Sequence, residues 1–85
     1  MTDKVQDFKI EVVGSRSCRP CRMLKSRLLA EGYEFTYMDA NDKENADRVK
    51  EIKKTAYELG ARSYPVLFID GKFAACGKNA LMYNF

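Results

Sequence analysis

A chain of 85 residues carries 15 basic and 12 acidic side chains and no histidine, for a formal charge of +3. That length makes one domain, residues 1–85, with no room for a second core. A composition of 46% hydrophobic and 32% charged residues, without repeat or low-complexity tract, excludes a disordered chain.

The start, Met1 to Asp7, is polar and has no apolar stretch of the kind that opens a signal peptide. No apolar run is long enough to span a bilayer, so the chain is expected in the cytoplasm, where thiols stay reduced. There, three cysteines point to redox or metal chemistry rather than to a disulfide framework. Residues 1–30 hold seven basic and three acidic groups, and residues 31–60 hold five and eight. Arg16, Arg19 and Arg22 crowd the first two cysteines, so the positive field is local. A nucleic-acid surface would need a broader basic stripe interleaved with aromatics.

Phe8 to Val12 alternates apolar and charged residues, predicting a strand that Gly14-Ser15-Arg16-Ser17 breaks. From Pro20 onward, Cys21, Leu24 and Leu28 recur at helical spacing until Gly32, and proline suits the first turn. Glu34 to Met38 reads as a second strand. Asn41 and Glu44 resemble a capping pair, after which Val49, Ile52, Ala56 and Leu59 form one apolar helix face ending at Gly60. Pro65 to Ile69 is a continuous apolar run, as expected of a strand covered on both faces. Asp70-Gly71 is a two-residue hairpin signal, with Lys72 to Ala75 returning antiparallel. A short helix from about Lys78 completes the order β-α-β-α-β-β-α, an α/β fold with a four-stranded mixed sheet and helices on both faces.

Cys18-Arg19-Pro20-Cys21 follows a strand and opens a helix. There the unpaired N–H groups and the helix dipole favour an anion and lower the first thiol's pKa, and arginine side chains turned toward the sulfur would add to this. Cys21, one helical turn on, is placed to attack a mixed disulfide on Cys18. Cys18 is therefore read as the exposed nucleophile and Cys21 as the more buried resolving thiol. The plainer reading is two structural cysteines in a core. Zinc is disfavoured, since there is no histidine and no second C-x-x-C to complete four ligands.

With these residues in view, the chain resembles the glutaredoxins, of the thioredoxin superfamily, along almost its whole length. The likeness rests on Cys18-Arg19-Pro20-Cys21, Ser63-Tyr64-Pro65, Asp70-Gly71 and Cys76-Gly77. It implies a thioredoxin-like fold and a cis Pro65 beside the disulfide, with the Tyr64 backbone offered to the substrate. It also implies glutathione as co-substrate, with no tightly bound cofactor or metal. Arg16, Arg19, Tyr64, Pro65, Cys76, Gly77 and Lys78 are the binding residues it suggests. Three features depart from the family. Pro20 is third in the motif, as in thioredoxins, where glutaredoxins typically have Cys-Pro-Tyr-Cys. Ser15 stands where a lysine is common, with Arg16 adjacent. Lys78 and Asn79 replace an acidic pair that meets the glutathione amino group. Thioredoxin itself is a poorer match, because this chain has no tryptophan.

The resemblance thus implies a monomeric dithiol oxidoreductase reducing protein disulfides or glutathione mixed disulfides, recharged by glutathione or a flavoprotein disulfide reductase. Three alternatives stand beside it. One is a glutathione-independent, thioredoxin-like electron donor, for example to ribonucleotide reductase. Another is an iron–sulfur carrier in which Cys18 from two chains and two glutathiones hold a cluster. The third is a redox-inactive interaction domain. Cys76 reads first as a small buried hydrophobe near the glutathione edge, Tyr33, Phe35, Tyr37, Phe68 and Phe73 as core or its rim, and Lys50, Lys53 and Lys54 as solvated surface.

Overall fold

The structure is a computed structural model and describes residues 6–85; the polar start at Met1 to Val5 lies outside them. The elements are β1 (Ile10–Gly14), α1 (Arg19–Ala30), β2 (Phe35–Asp39), α2 (Ala46–Glu58), β3 (Val66–Ile69), β4 (Lys72–Cys76) and α3 (Gly77–Leu81). They follow the expected order. The strands lie in the order β2-β1-β3-β4, with β1 parallel to β2 and antiparallel to β3, and β3 antiparallel to β4.

The two central strands are buried on both faces, which is why β3 reads as an unbroken apolar run. Side chains alternate between two cores. Ile10, Val12 and Leu67 meet Leu24 and Leu28 of α1 and Ala80 of α3. Val13, Val66 and Phe68 meet Val49, Ile52 and Ala56 of α2. Each buried leucine or isoleucine contributes about 1.5–3 kcal/mol, so these two stripes hold the helices to the sheet. Among the aromatics, Phe68 is buried and Tyr33, Phe35, Tyr37 and Phe73 are half-buried rim. Asp70 and Gly71 both take positive φ (52° and 78°), the two-residue turn whose twist suits a hairpin. A bulge follows, with Leu67 opposite Ala75 and Phe68 opposite Phe73.

Local pattern misplaces several boundaries. β1 runs Ile10–Gly14 rather than Phe8 to Val12, because Val13 and Gly14 still pair with Met38 and Asp39. Gly14 is thus a strand residue, and Phe8 instead packs its ring on Tyr33. Glu34 lies outside β2, its backbone N–H and C=O both bonded to the Gln6 side-chain amide at 2.7 Å. Asn41 and Glu44 form no capping pair. The carboxylates of Asp39 and Asp42 shape that loop instead, accepting the N–H of Asn41 (2.8 Å) and of Glu44 (2.9 Å), and α2 begins after Asn45. The side-chain amide of Asn45, first among several donors, holds the exposed Asp42 carboxyl below its usual range. Leu59 does not join the apolar face, because α2 ends at Glu58; Leu59 is exposed and Ala61 turns inward in its place. The last helix is a brief Gly77–Leu81.

Among the described residues, one charged side chain lies inside. Glu11 is only 4% exposed, on the α2 face of β1, where alternation alone would give it to solvent. Arg48 of α2 meets it as a two-pronged ion pair, Nε to Oε2 at 2.8 Å and Nη2 to Oε1 at 2.5 Å. Arg48 also pairs with Glu51 and lies 5.9 Å from the Phe68 ring centroid. The Arg48 hydrogen bond holds the Glu11 carboxyl below its ordinary range against the opposing effect of burial, and Glu11 in turn raises the guanidinium.

Replacing Arg48 by Met is expected to lower stability at pH 7 by roughly 1–3 kcal/mol, read as a lower urea midpoint. That is less than for a fully buried pair because Arg48 is itself one-third exposed. Since the folded carboxyl binds its proton less readily than the unfolded one, the contribution is present above the ordinary glutamate range. It is lost as pH falls through the lowered folded value. The variant's deficit should therefore shrink in acid, and adding Glu11→Gln should restore part of the midpoint at pH 7.

Candidate active site

Cys18 is the N-cap of α1: its backbone is extended (φ −89°, ψ 110°), and its Sγ accepts the N–H of Cys21 at 3.2 Å. This is the position at which a side-chain acceptor satisfies one of a helix's open donors. Upstream, the Cys18 N–H closes a turn on the Ser15 carbonyl at 3.2 Å, and the Cys18 carbonyl takes the Arg22 N–H at 3.3 Å. Pro20 lies in the first turn, where no donor is lost. Cys18 is half-buried and Cys21 fully buried, and the two form a disulfide with Cα atoms 5.3 Å apart.

The arginines are not aimed at the sulfur. Arg16 is 96% exposed and pairs with Asp39 at 3.8 Å. Arg22 donates to the Arg16 carbonyl at 3.3 Å, and Arg19 is exposed on the first residue of α1. Among the described residues, the donor that reaches Cys18 Sγ is the Cys21 amide.

A second group forms at the same end of the sheet. Val13 pairs with Val66, so the segment entering β3 lies beside the one leaving β1 for Cys18. The Tyr64–Pro65 peptide is cis, as the resemblance implied, and Pro65 is fully buried. Its carbonyl accepts the Gly77 N–H at 2.8 Å. Gly77 has φ +58°, and a Cβ there would overlap the Ser63 hydroxyl and lie 3.9 Å from the Tyr64 carbonyl. Cys76 is half-buried, more open than a core cysteine, with its Sγ 4.0 Å from Ser63 Oγ. Tyr64, Pro65, Cys76 and Gly77 are therefore brought together, with Lys78 and Asn79 exposed next to them; Arg16 and Arg19 stay on the Cys18 side.

Sequence reasoning missed two features. A cavity of about 230 Å³ adjoins Tyr64, lined also by Lys53, Tyr57, Arg62, Ser63 and Val66. Arg62 stacks on Tyr57, its Cζ 4.0 Å from the ring centroid, and caps the end of α2 through the Tyr57 carbonyl at 3.1 Å. Its place just before Ser63-Tyr64-Pro65 was the available signal. The second is Gly14, where a Cβ would overlap the Tyr37 hydroxyl and lie 3.0 Å from Cys21 Cβ. Among the described residues, no cluster of three or more His, Cys, Asp or Glu side chains is placed to hold a metal ion, and no helix is long and apolar enough to cross a membrane.

A four-stranded sheet of this order, with a cysteine pair at the start of the first helix and a cis-proline turn at the same sheet end, defines the thioredoxin-fold thiol–disulfide oxidoreductases as a class. Within that class the glutaredoxin family model matches residues 10–74, and the chain belongs to the glutaredoxin family. It is 34% identical over 70 residues to the uncharacterized 9.0 kDa protein in the mobE 3′ region of Acidithiobacillus ferrooxidans, covering 80% of this chain and 74% of that one. Among solved structures it is similar to a wheat glutaredoxin (TM-score 0.64, 20% identity), covering 86% of this chain and spanning 66% of the wheat chain. It is also similar to a glutaredoxin of Archaeoglobus fulgidus (TM-score 0.60, 23% identity), with 88% of this chain and 86% of that one covered.

Because the arginines face water, substituting glutamine for Arg16, Arg19 or Arg22 is expected to raise the Cys18 pKa by only about a few tenths of a unit each, fading as salt screens the charge. Thiolate absorbance titrated in low and high salt checks this. A single variant with a rise of a full unit would show that its guanidinium turns onto the sulfur when the disulfide opens.

Proposed function

We propose that this protein reduces protein disulfides and glutathione mixed disulfides by a two-thiol exchange, with Cys18 as nucleophile and Cys21 as resolving thiol. The observation that carries the reading is the N-cap: an amide aimed at Cys18 Sγ from 3.2 Å, with Cys21 buried behind it. An N–H already directed at the sulfur stabilises a thiolate there without any rearrangement, and the helix dipole acts in the same sense.

In the forward direction the Cys18 thiolate attacks one sulfur of the substrate disulfide. A Cys18–substrate bond forms, the substrate S–S bond breaks, and the departing thiolate takes a proton from solvent. Cys21 then loses its proton and attacks Cys18 Sγ. The Cys18–Cys21 bond forms and the second substrate thiol leaves, so two electrons have passed to the substrate. Two glutathione molecules return the pair to dithiol and become glutathione disulfide; a flavoprotein disulfide reductase is the other electron source this cycle accepts. The protein would act as a monomer in a reducing compartment such as the cytoplasm.

The substrate would lie between the two groups of residues described above. No hydrogen bond among the described residues uses the Tyr64 amide or carbonyl, which leaves both for an extended peptide such as glutathione. Exposed Lys78 and Asn79 flank the same turn, and they favour a second reading, a thioredoxin-like donor that depends little on glutathione.

Cys18→Ser is expected to abolish reduction of every disulfide substrate. Cys21→Ser should accumulate a mixed disulfide with a protein substrate, visible by mass spectrometry, while still exchanging with glutathione mixed disulfides. Wild-type turnover of a protein disulfide by Cys21→Ser would end the two-thiol reading. Running the same substrate with glutathione and its reductase, and separately with thioredoxin reductase, identifies the electron source.

Lys78→Asp with Asn79→Asp is expected to lower the Michaelis constant for a glutathione mixed disulfide by about tenfold or more, since a charge-assisted contact contributes roughly 1.5–3 kcal/mol. Protein-disulfide reduction should hardly change. No gain in the double variant would mean that these two positions do not limit glutathione binding.

A further inference from the structure

The two-thiol cycle leaves one chemical problem unsolved. Cys21 is 0% exposed in the disulfide state, and to resolve a mixed disulfide it must become a thiolate with little water around it to stabilise the charge. Burial raises a thiol's pKa, and a hydrogen bond donated to the charged form opposes that rise. The backbone amide of Cys21 is directed at Cys18, so a donor for Cys21 must come from elsewhere.

The space above Gly14 holds one. Gly14 pairs with Asp39 and Val12 with Tyr37, so the Tyr37 side chain lies on the α1 face of the sheet and leans along it toward Gly14. A Cβ on Gly14 would overlap the Tyr37 hydroxyl, lie 2.9 Å from Tyr37 Cζ and stand 3.0 Å from Cys21 Cβ. One small volume is therefore bounded by the phenol end of Tyr37 and by the Cβ of Cys21, and only glycine leaves it open. The Tyr37 hydroxyl has no hydrogen-bond partner among the described residues.

We propose that the Tyr37 hydroxyl donates a hydrogen bond to the Cys21 thiolate during the resolving step, and that Gly14 keeps the space in which the two meet. In the disulfide state Cys21 Sγ is bonded to Cys18; once that bond opens, rotation about Cα–Cβ of Cys21 carries the sulfur over this space. Tyr37 keeps its own proton throughout. The Cys21 proton goes to solvent, the Cys21–Cys18 bond forms, and the Cys18–substrate bond breaks with release of the substrate thiolate. This assignment rests on the two-thiol reading above.

The charged surroundings agree with a donor role. Arg22 and Lys25 approach from α1, with Lys25 Nζ 5.0 Å from the Tyr37 ring centroid. Asp39 lies on β2 and is paired with Arg16 of the Cys18 loop. Burial first, then Asp39, push the Tyr37 phenol above its ordinary range, with Arg22 opposing. The hydroxyl thus stays protonated, and able to donate, wherever the enzyme works.

The test is Tyr37→Phe, which keeps the ring and removes the hydroxyl. In a Cys18→Ser background the Cys21 pKa is read from the pH dependence of the Cys21 Cβ NMR resonance. It should rise by about one unit, a tenfold loss of thiolate below the midpoint. With both cysteines present, the pH–rate profile for a protein disulfide should shift to higher pH in step. A ring that merely packs would move neither readout. An unchanged Cys21 midpoint in Tyr37→Phe overturns the proposal, as does a midpoint that shifts while the rate profile stays. Failure of the two-thiol reading has a different signature, namely Cys21→Ser reducing a protein disulfide as well as the parent does.

Discussion

Everything the site does depends on the bond from the Cys21 amide to the sulfur of Cys18. A helix leaves its first N–H groups without partners, and in most helices a serine, threonine or aspartate oxygen takes one of them. Here a cysteine holds that position. The stabilisation a helix seeks at its N-terminus and the stabilisation a thiolate needs become the same contact. The site therefore keeps its chemistry with its arginines turned to water, Arg16 to Asp39 and Arg22 to a backbone carbonyl.

The rest of the fold serves to hold that helix start. β1 is central, flanked by β2 and β3, and its five residues are all buried, so the loop it feeds into Cys18 begins from a fixed strand. Antiparallel pairing with β3 brings the Tyr64–Pro65 turn to the same end. Gly77 then closes on that turn from β4 and α3, so close that a Cβ at position 77 would meet the Ser63 hydroxyl. Three segments distant in sequence, around residues 18, 64 and 77, are thus fixed by strand register and one positive-φ glycine.

The α2 face obeys a different constraint. An apolar cluster there encloses the Glu11 carboxylate, made tolerable by the two-pronged guanidinium of Arg48. This pair ties the central strand to α2, and the far end of α2 carries Tyr57, with Arg62 in the loop after it, to the rim of the cavity beside Tyr64. The element that binds the sheet's second face thus also lines the cavity beside that turn.

The sequence by itself determined the order of elements, the hairpin at Asp70-Gly71 and the reactive pair, since each is written in contiguous residues: a period of two or 3.6, a turn dipeptide, a strand-to-helix C-x-x-C. The glutaredoxin likeness added the cis turn at Pro65 and the grouping of Tyr64, Cys76 and Gly77. Tertiary structure alone decided which way the polar side chains turned. Alternation marked Glu11 as an outward charge, yet a strand covered on both faces has no outward side, and only Arg48 of a distant helix makes its burial tolerable. Clustering near Cys18 suggested arginines on the sulfur, yet Asp39 and a backbone carbonyl offered nearer partners in three dimensions. Gly14 read as a strand breaker because polar residues follow it in sequence. Its reason for being glycine lies across the sheet, where Tyr37 and Cys21 occupy the space a side chain would need.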